Sequence, residues 1–213
     1  MMTEDKFLAL QKQHAASIAQ MRQSAYDLHA SVNQTYAGTH PYGYHLDMVV
    51  QAVRDFGHLV CASEHDVLPL FFGAYYHDSM EDARLTYNDV TKIARQFMDE
   101  KQSVMAAEIV YALTNDKGRT RAERAGEKYY RGIRETPYAP FVKLCDRYAN
   151  IFYSCIGNDA LNNRMRHVYQ EESPHFLEAI DPHSDDLRFR VPMELVEHLK
   201  ACLSAELSYP EKR

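Results

Sequence analysis

Histidine and carboxylate residues recur at three separate points of this 213-residue chain. They are His45, the adjacent pair His77 and Asp78, and Asp146. Together they offer two imidazoles and two carboxylates. This mixed set of nitrogen and oxygen ligands suits Mn²⁺, Fe²⁺ or another first-row divalent ion better than structural zinc, which favours thiolates. The pattern H…HD…D therefore predicts a metal site with positions left for water and a phosphate oxygen.

Two further acids, Glu81 and Asp82, follow one helical turn later in the stretch YYHDSMED. This stretch continues the apolar run LPLFFGAYY, which has the composition of a buried segment. Ionised carboxylates beside a buried segment are costly unless they are paired or bind a metal. Taken alone, Glu81 and Asp82 are more typical of a solvated helix end. A metal at the end of the apolar segment would explain all of these polar residues together.

The other members of the pattern also have simpler explanations when taken one at a time. A single histidine such as His45 is most often a hydrogen-bonded surface or core residue. Asp146 beside Arg147 is most often half of an ion pair. Asn150 lies four residues after Asp146 and so shares its helix face. The combination across three separate segments is less easily accidental, and we therefore expect a metal site.

The segments that carry these residues have helical periodicity, with apolar side chains recurring at intervals of three and four. Glycine and proline number eight each, and no alternating strand pattern of useful length is found. The chain is therefore predicted to be all-α and a single domain. Ser173-Pro174 and Asp181-Pro182 are predicted to be helix starts or turns. The predicted helices are an N-terminal one with an apolar stripe from Phe7 to Val32, then about 46–60, 67–76, 89–100 after the capping residue Thr86, 103–113, 120–135, 140–156 and 193–207.

Composition excludes several classes of protein. A formal net charge of −6 argues against a protein that binds the phosphate backbone of nucleic acids. No apolar run approaches the roughly 18 residues that a membrane span needs, and the N-terminus lacks the features of a signal peptide. The four cysteines show no CxxC spacing and are predicted to be reduced. We expect a cytoplasmic protein with a small-molecule substrate.

Three sequence boxes resemble the HD-domain metal-dependent phosphohydrolases. HDSMED, starting at His77, is similar to the HDxxED box of the RelA/SpoT-type guanosine polyphosphate (ppGpp, alarmone) hydrolases, particularly the small stand-alone ones. PYGYH, ending at His45, resembles their PYxxH, and FVKLCDRYAN, ending at Asn150, resembles their VKLADRLxN. The segment LTNDKGRTRAERAGEKYY, between the last two boxes, looks like their TDDK…ER segment. The resemblance covers roughly residues 36–153 in consistent order.

This resemblance implies an HD-type helical bundle, a reaction and a set of residue roles. His45, His77, Asp78 and Asp146 would bind one Mn²⁺, or another divalent metal. Glu81 and Asp82 would orient or deprotonate the attacking water, which would release pyrophosphate from the 3′ position of guanosine tetra- or pentaphosphate. The residues that would contact the nucleotide or its phosphates are Asn150, Lys117, Arg121 and Arg124.

The chain departs from the family at the positions that recognise the base. Asn33-Gln34-Thr35 stands where the family commonly has an Arg-Lys pair, whose arginine stacks against guanine. Arg84, Tyr42 or Tyr44 are candidates to replace this contact, on position alone. The residues expected to bind the metal are all present, whereas the Arg-Lys pair expected to recognise the base is not. Two alternatives therefore stay open: an HD phosphatase acting on a deoxynucleotide, a nucleoside monophosphate or NADPH, and a non-catalytic nucleotide-binding regulator.

The resemblance also predicts how the chain is organised. Residues 36–181 would form the HD hydrolase core. Residues 1–35 would form an N-terminal helix packed on that core, and residues 182–213 a C-terminal helix and tail. Neither flanking part carries a recognisable motif. Both are expected to serve packing or to form contacts in a homo-oligomer.

Overall fold

The computed structural model describes residues 2–115, 119–157 and 159–204. Within the second range, residues 121 and 122 are described by their backbone alone. Within these ranges the chain is a helical bundle, and the prediction of an all-α single domain is confirmed. A pair of two-residue antiparallel strands, β1 (Thr35–Tyr36) and β2 (His40–Pro41), is an addition to the predicted structure. The helices are α1 Glu4–Gln13, α2 Ala15–Ser31, α3 Gly43–Phe56, α4 Val67–Tyr76, α5 Ser79–Asp82, α6 Tyr87–Ala94, α7 Glu100–Leu113, α8 Arg121–Arg124, α9 Glu127–Glu135, α10 Ala139–Ile156, α11 Ala160–Ile180 and α12 Met193–Ser204.

Helix α4 lies at the centre of the bundle, as its composition predicts. Every residue from Val67 to Tyr76 is buried, and the helix packs against α2, α3, α7 and α10. Gly73 allows the close approach of α7, because a Cβ atom at this position would lie 2.6 Å from Cγ2 of Ile109. The polar residues that follow α4 therefore emerge from a rigid, fully enclosed element.

Helix α10 also packs against α4. It packs against α3 on one side and against α11 and α12 on others. Its buried face includes Phe141, Leu144, Cys145 and Ile151. The three helices α3, α4 and α10 thus hold the predicted metal ligands on elements that are packed against each other.

Several helix boundaries differ from the predicted ones, because local hydrogen bonds decide where the helices begin and end. Thr86 caps α6 as predicted, but α6 ends at Ala94 and the next helix begins at Glu100. The reason is Asp99, whose side chain accepts a hydrogen bond from the backbone N–H of Gln102 and so caps α7. The segment predicted as one helix over 120–135 is two helices, α8 and α9, separated at Ala125 and Gly126.

The prediction of one N-terminal helix is also wrong. The chain forms α1 and α2 in succession, with a break at His14. Most of the predicted apolar stripe is buried, including Phe7 and Met21. Val32, the last residue of the stripe, follows the end of α2 and is 42% exposed. The stripe therefore spans two helices that pack on the same core.

Helix α11 is an addition to the predicted helices, because the sequence predicts a helix start or turn at its internal proline. Ser173-Pro174 lies inside this helix. Pro174 cannot donate a backbone hydrogen bond, but the hydroxyl of Ser173 donates to the carbonyl oxygen of Tyr169 at 2.6 Å. This bond does not replace the one lost at Pro174, which would end on the carbonyl oxygen of Gln170, yet α11 continues through the proline. The second predicted break is confirmed, since α11 ends before Asp181.

The final helix, α12, packs on α10 and α11, while the end of its predicted range lies outside the described residues. No helix in the described ranges has both the length and the apolar character needed to cross a membrane.

Candidate metal centre

Side chains from α3, α10 and the end of α4 meet in one group. The Nε2 atoms of His45 and His77 lie 3.3 Å apart. Asp146 Oδ1 lies 3.3 Å from Nε2 of His45 and 3.7 Å from Nε2 of His77. Their ligand atoms all lie within 4.8 Å of one another. The structure thus brings three of the four predicted ligands together, although 101 positions separate the first from the last.

Asp78 is the fourth member of the group. Its Oδ2 atom lies 2.9 Å from Nε2 of His77 and 4.0 Å from Nε2 of His45. Two ligands that are each about 2.1 Å from a shared ion lie about 3.0 Å apart at right angles and about 4.2 Å apart on opposite sides. The separations among His45, His77 and Asp146 fall close to that range, and these three side chains together fit a single divalent ion. Asp78 lies at the edge of this set, against His77.

Helix α4 determines which nitrogen of His77 faces the group. His77 directly follows α4, and its Nδ1 lies 2.9 Å from the carbonyl oxygen of Ala74 in the preceding turn. A carbonyl oxygen only accepts, so Nδ1 carries a proton, and Nε2 is the atom that would bind a metal once it has lost its own proton. His45, in the first turn of α3, is equally enclosed, with 2% of its side chain exposed. Nε2 of both imidazoles faces the centre, although Nδ1 of His45 has no hydrogen-bond partner among the described residues.

Neighbouring side chains hold the two carboxylates. Tyr42 donates its hydroxyl proton to Oδ2 of Asp78. Oδ2 of Asp146 accepts a hydrogen bond from Nζ of Lys143 at 2.9 Å. Its Oδ1 accepts one from Nδ2 of Asn150 at 2.7 Å. Such outer partners orient ligands and tune their basicity.

The ionisable side chains of this group have strongly shifted pKa values. Burial alone would lower the pKa of His77, but the charges of Asp78 and Asp146 raise it to about 9. Burial would raise the pKa of Asp146, yet Lys143 and the two histidines hold it well below its ordinary value. The pKa of Asp78 is lowered against its burial by His77. Both carboxylates are therefore ionised at neutral pH, as metal ligands must be.

Glu81 and Asp82 lie beside this group on the short helix α5. Asp82 is half-buried, and Nε2 of Gln34 donates to its Oδ2 at 3.1 Å. Burial, with the charges of Asp78 and Glu81, raises the pKa of Asp82 to about 6. Glu81 is exposed and accepts hydrogen bonds from the side chain and backbone N–H of Asn115. Of the two, Asp82 has the properties of a general base near neutral pH.

No family model matches the chain, and no curated protein matches it significantly. The assignment of a function therefore depends on the site. The three donors His45, His77 and Asp146 could bind a divalent ion, and the neighbouring carboxylate of Asp82, whose pKa is raised, could accept a proton. This combination is typical of metal-assisted hydrolysis.

Aromatic rings cover one side of the centre. Tyr36 stacks on His45 with ring centroids 4.9 Å apart, and its hydroxyl donates to Oδ1 of Asn150 at 3.0 Å. Asn150 thus connects Tyr36 to Asp146 and lies at the edge of the centre. Its predicted contact with a nucleotide remains a prediction. Sequence reasoning missed Tyr36, since only the fold brings β1 against α3 and α10.

Tyr42 does not have the role suggested for it as a stacking surface. Its side chain is buried, its hydroxyl is engaged with Asp78, and its ring stacks on His29 at 4.5 Å. Tyr44 is 38% exposed, and its ring stacks on His40 at 4.6 Å. Of these two tyrosines, Tyr44 is the one with surface accessible to a ligand.

The remaining basic residues of the predicted site are spread out. Lys117 lies outside the described residues, and at Arg121 the side chain is not described. Arg84 is exposed, and its backbone is left-handed with φ of 57°. No hydrogen bond or ion pair joins Arg84 to the donor group in the described part of the chain. Arg124 lines a cavity that Glu81 and Lys143 also line.

Proposed function

We propose that this protein is a metal-dependent phosphohydrolase that acts on a nucleotide. The observation that carries the proposal is the convergence of two imidazole nitrogens and the Asp146 carboxylate on one small volume, with separations suited to a single divalent ion and with Asp78 against His77. Phosphate esters are the substrate class best served by such a centre. Mn²⁺ is the metal first expected, from the nitrogen and oxygen donor set.

The division of roles follows from the surroundings of each side chain. His45, His77, Asp78 and Asp146 would hold the ion, which would lower the pKa of water and offset phosphate charge when bound. Asp82 would accept the proton of the attacking water, because burial places its pKa near neutrality. Glu81, the adjacent carboxylate, would share the charge of this base and help to orient the attacking water.

The first substrate proposed is guanosine tetra- or pentaphosphate, with release of pyrophosphate from the 3′ position. The support for this choice is the HDxxED box together with the PYxxH and VKLADRLxN boxes. Gln34 lies in the segment where the resembled enzymes carry their basic pair, and it is hydrogen-bonded to Asp82. Recognition of the base would therefore fall to other residues, of which Tyr44 and Asn150 are the nearest candidates.

A nucleotide panel with product analysis tests the proposal. Purified protein would be loaded with Mn²⁺ and offered guanosine tetraphosphate, deoxynucleoside triphosphates, nucleoside monophosphates and NADPH. Phosphate and pyrophosphate would be detected separately. Manganese-stimulated pyrophosphate release from the first compound supports the proposal in full. Phosphate release from another nucleotide keeps the chemistry and overturns the substrate. Bound nucleotide without turnover under any divalent ion would identify a regulator instead.

Substitutions of the candidate metal ligands test whether the centre is responsible for the activity. Asp146→Asn keeps the side-chain volume, and His77→Ala removes a ligand; both should abolish metal-stimulated turnover. His183→Ala is the matched control, because this histidine is 79% exposed. Circular dichroism of each variant would confirm that it is folded.

A further inference from the structure

Two cysteines lie in contact where α10 packs against α12. Cys155 is in the last turn of α10, and Cys202 is in the last turn of α12. They are 47 positions apart in sequence, yet Sγ of Cys155 lies 3.1 Å from the backbone carbonyl oxygen of Cys202. Since a carbonyl oxygen is about 2.4 Å from Cα of its own residue, the Cys155 sulfur is at most about 5.5 Å from Cα of Cys202.

The packing of the two helices maintains this contact. Ile151, one turn before Cys155, and Leu199, one turn before Cys202, are both fully buried. These residues anchor α10 and α12 in the core, so the backbones on either side of the two cysteines are held together. The approach of one sulfur to the other therefore depends mainly on rotation of the two side chains about χ1.

Exposure separates this pair from the other two cysteines. Cys155 and Cys202 are partly exposed, whereas Cys61 and Cys145 are fully buried. Burial raises the pKa of Cys61 to about 12 and holds the pKa of Cys145 well above its ordinary value. The thiolate is the reactive form of cysteine. A reagent in solution should therefore reach and modify Cys155 and Cys202 first.

The surroundings of Cys202 include two groups that favour its thiolate. Burial and then the neighbouring Cys155 thiol raise the pKa of Cys202, while a hydrogen bond with Tyr148 and the charge of Arg166 lower it. The influence of Cys155 agrees with the short contact between the two residues. The influence of Tyr148 and Arg166 assists thiol exchange, in which a thiolate is the attacking group.

From the contact between these two residues and their shared exposure, we propose that Cys155 and Cys202 form an intramolecular disulfide when the protein meets a small disulfide oxidant such as oxidised glutathione. The bond would join α12 to α10, the helix that carries Asp146. The inference does not depend on the proposed function, and it is tested without any measurement of activity.

The reaction proceeds by two thiol–disulfide exchanges. The thiolate of one cysteine attacks the oxidant, forms a mixed disulfide and releases one glutathione thiolate. The thiolate of the other cysteine then attacks the protein sulfur of that mixed disulfide and releases the second glutathione thiolate. Two protein thiols are oxidised and one glutathione disulfide is reduced to two thiols, which take up the two protons that the cysteines lose.

Mass spectrometry of the full-length protein after incubation with oxidised glutathione tests the pair. We expect a product that is lighter than the reduced protein by two hydrogen atoms. Proteolysis without reduction should yield the peptide of Cys155 linked to the peptide of Cys202. Iodoacetamide should label two cysteines of the native protein before oxidation and none afterwards, because Cys61 and Cys145 are enclosed.

Three variants assign the bond to these residues. Cys155→Ser and Cys202→Ser each leave one partner, so each should stop at the mixed disulfide and carry one glutathione. Cys61→Ala is the matched control, because it removes a fully buried thiol and leaves the pair in place. It should lose two hydrogen atoms as the wild type does. Circular dichroism of each variant would confirm that it is folded.

Four results would overturn the proposal. They are oxidised wild-type protein that carries only glutathione adducts or does not react, a disulfide that joins two copies of the chain, a linked peptide that contains Cys61 or Cys145, and loss of two hydrogen atoms in Cys155→Ser or Cys202→Ser. Electrophoresis without reductant separates the joined copies from the internal bond.

Discussion

The hydroxyl of Tyr42 donates a hydrogen bond to Oδ2 of Asp78, the same oxygen that lies 2.9 Å from Nε2 of His77. Tyr42 immediately precedes α3, and Asp78 follows α4. One hydrogen bond therefore joins the two helix ends that carry the histidines. Together with the contact to His77, it restrains the χ2 angle of the Asp78 carboxylate.

Tyr42→Phe should weaken metal binding by about tenfold to a hundredfold, because outer hydrogen bonds of this kind position metal ligands. The ring and its packing against His29 are retained in the variant. Binding of Mn²⁺ would be measured by calorimetry. Tyr44→Phe, at a partly exposed ring that does not contact Asp78, should bind the ion as wild type does. Equal affinities in both variants would contradict the role given to Tyr42.

The rate of hydrolysis should rise with pH through a limb at or below about pH 6 and then level off. Asp82 must be ionised to accept a proton, and its pKa is raised to about 6 by burial and by the charges of Asp78 and Glu81. The positive charge of a bound ion would move this limb toward lower pH. Measurement of kcat from pH 4.5 to 8 with Mn²⁺ would locate it.

Asp82→Asn should remove that limb and lower kcat by about 10²- to 10⁴-fold, the usual contribution of a general base. Asp185→Asn is a suitable control, since Asp185 is exposed and far along the chain from the site. A pH profile of Asp82→Asn that keeps the wild-type limb would assign the proton transfer to another group.

His29 should make the metal-free protein less stable as the pH falls. The histidine is 1% exposed, and neither ring nitrogen has a hydrogen-bond partner among the described residues. Burial lowers its pKa to about 4, and the charge of Asp78 opposes this only in part. Since the folded-state pKa lies below the ordinary value of 6.5, the stabilising contribution is complete above pH 6.5 and is lost as the pH falls toward 4.

The loss amounts to at most about 3 kcal/mol at one site. Urea unfolding from pH 4 to 7.5 would measure it. His29→Phe keeps a ring against Tyr42 and should flatten this part of the profile. His183→Ala, at an exposed histidine, should not. Parallel profiles for wild type and His29→Phe would show that His29 is not the responsible group.

Two glycines give opposite responses to the same substitution. Gly73→Ala should lower the free energy of unfolding by about 1–3 kcal/mol, because the new Cβ would lie 2.6 Å from Cγ2 of Ile109 between α4 and α7. Gly132→Ala, within α9, should raise it by about 0.5–1 kcal/mol, because nothing lies within 4 Å of the added atom and alanine favours the helix. Chemical denaturation of both variants measures the difference. A destabilised Gly132→Ala protein with an unaffected Gly73→Ala protein would contradict the packing described here.

Periodicity and motif spacing were sufficient for the elements that are determined locally. The bounds of α4 follow from an uninterrupted apolar run, and the start of α6 follows from the cap at Thr86. The four candidate ligands could be chosen because histidine and aspartate are uncommon at buried positions of helices unless they are paired or bind a metal. The boundary between α6 and α7 was wrong because one side chain, that of Asp99, decides where α7 begins.

The sequence by itself determined an all-α chain and the residues able to bind a metal, because both follow from residue type and short-range spacing. The tertiary structure alone decided that these donors converge, since His45, His77 and Asp146 meet only when α3, α4 and α10 pack together. It also decided that Lys143 faces both Asp146 and a cavity, since that depends on which rotamer the surrounding helices leave room for.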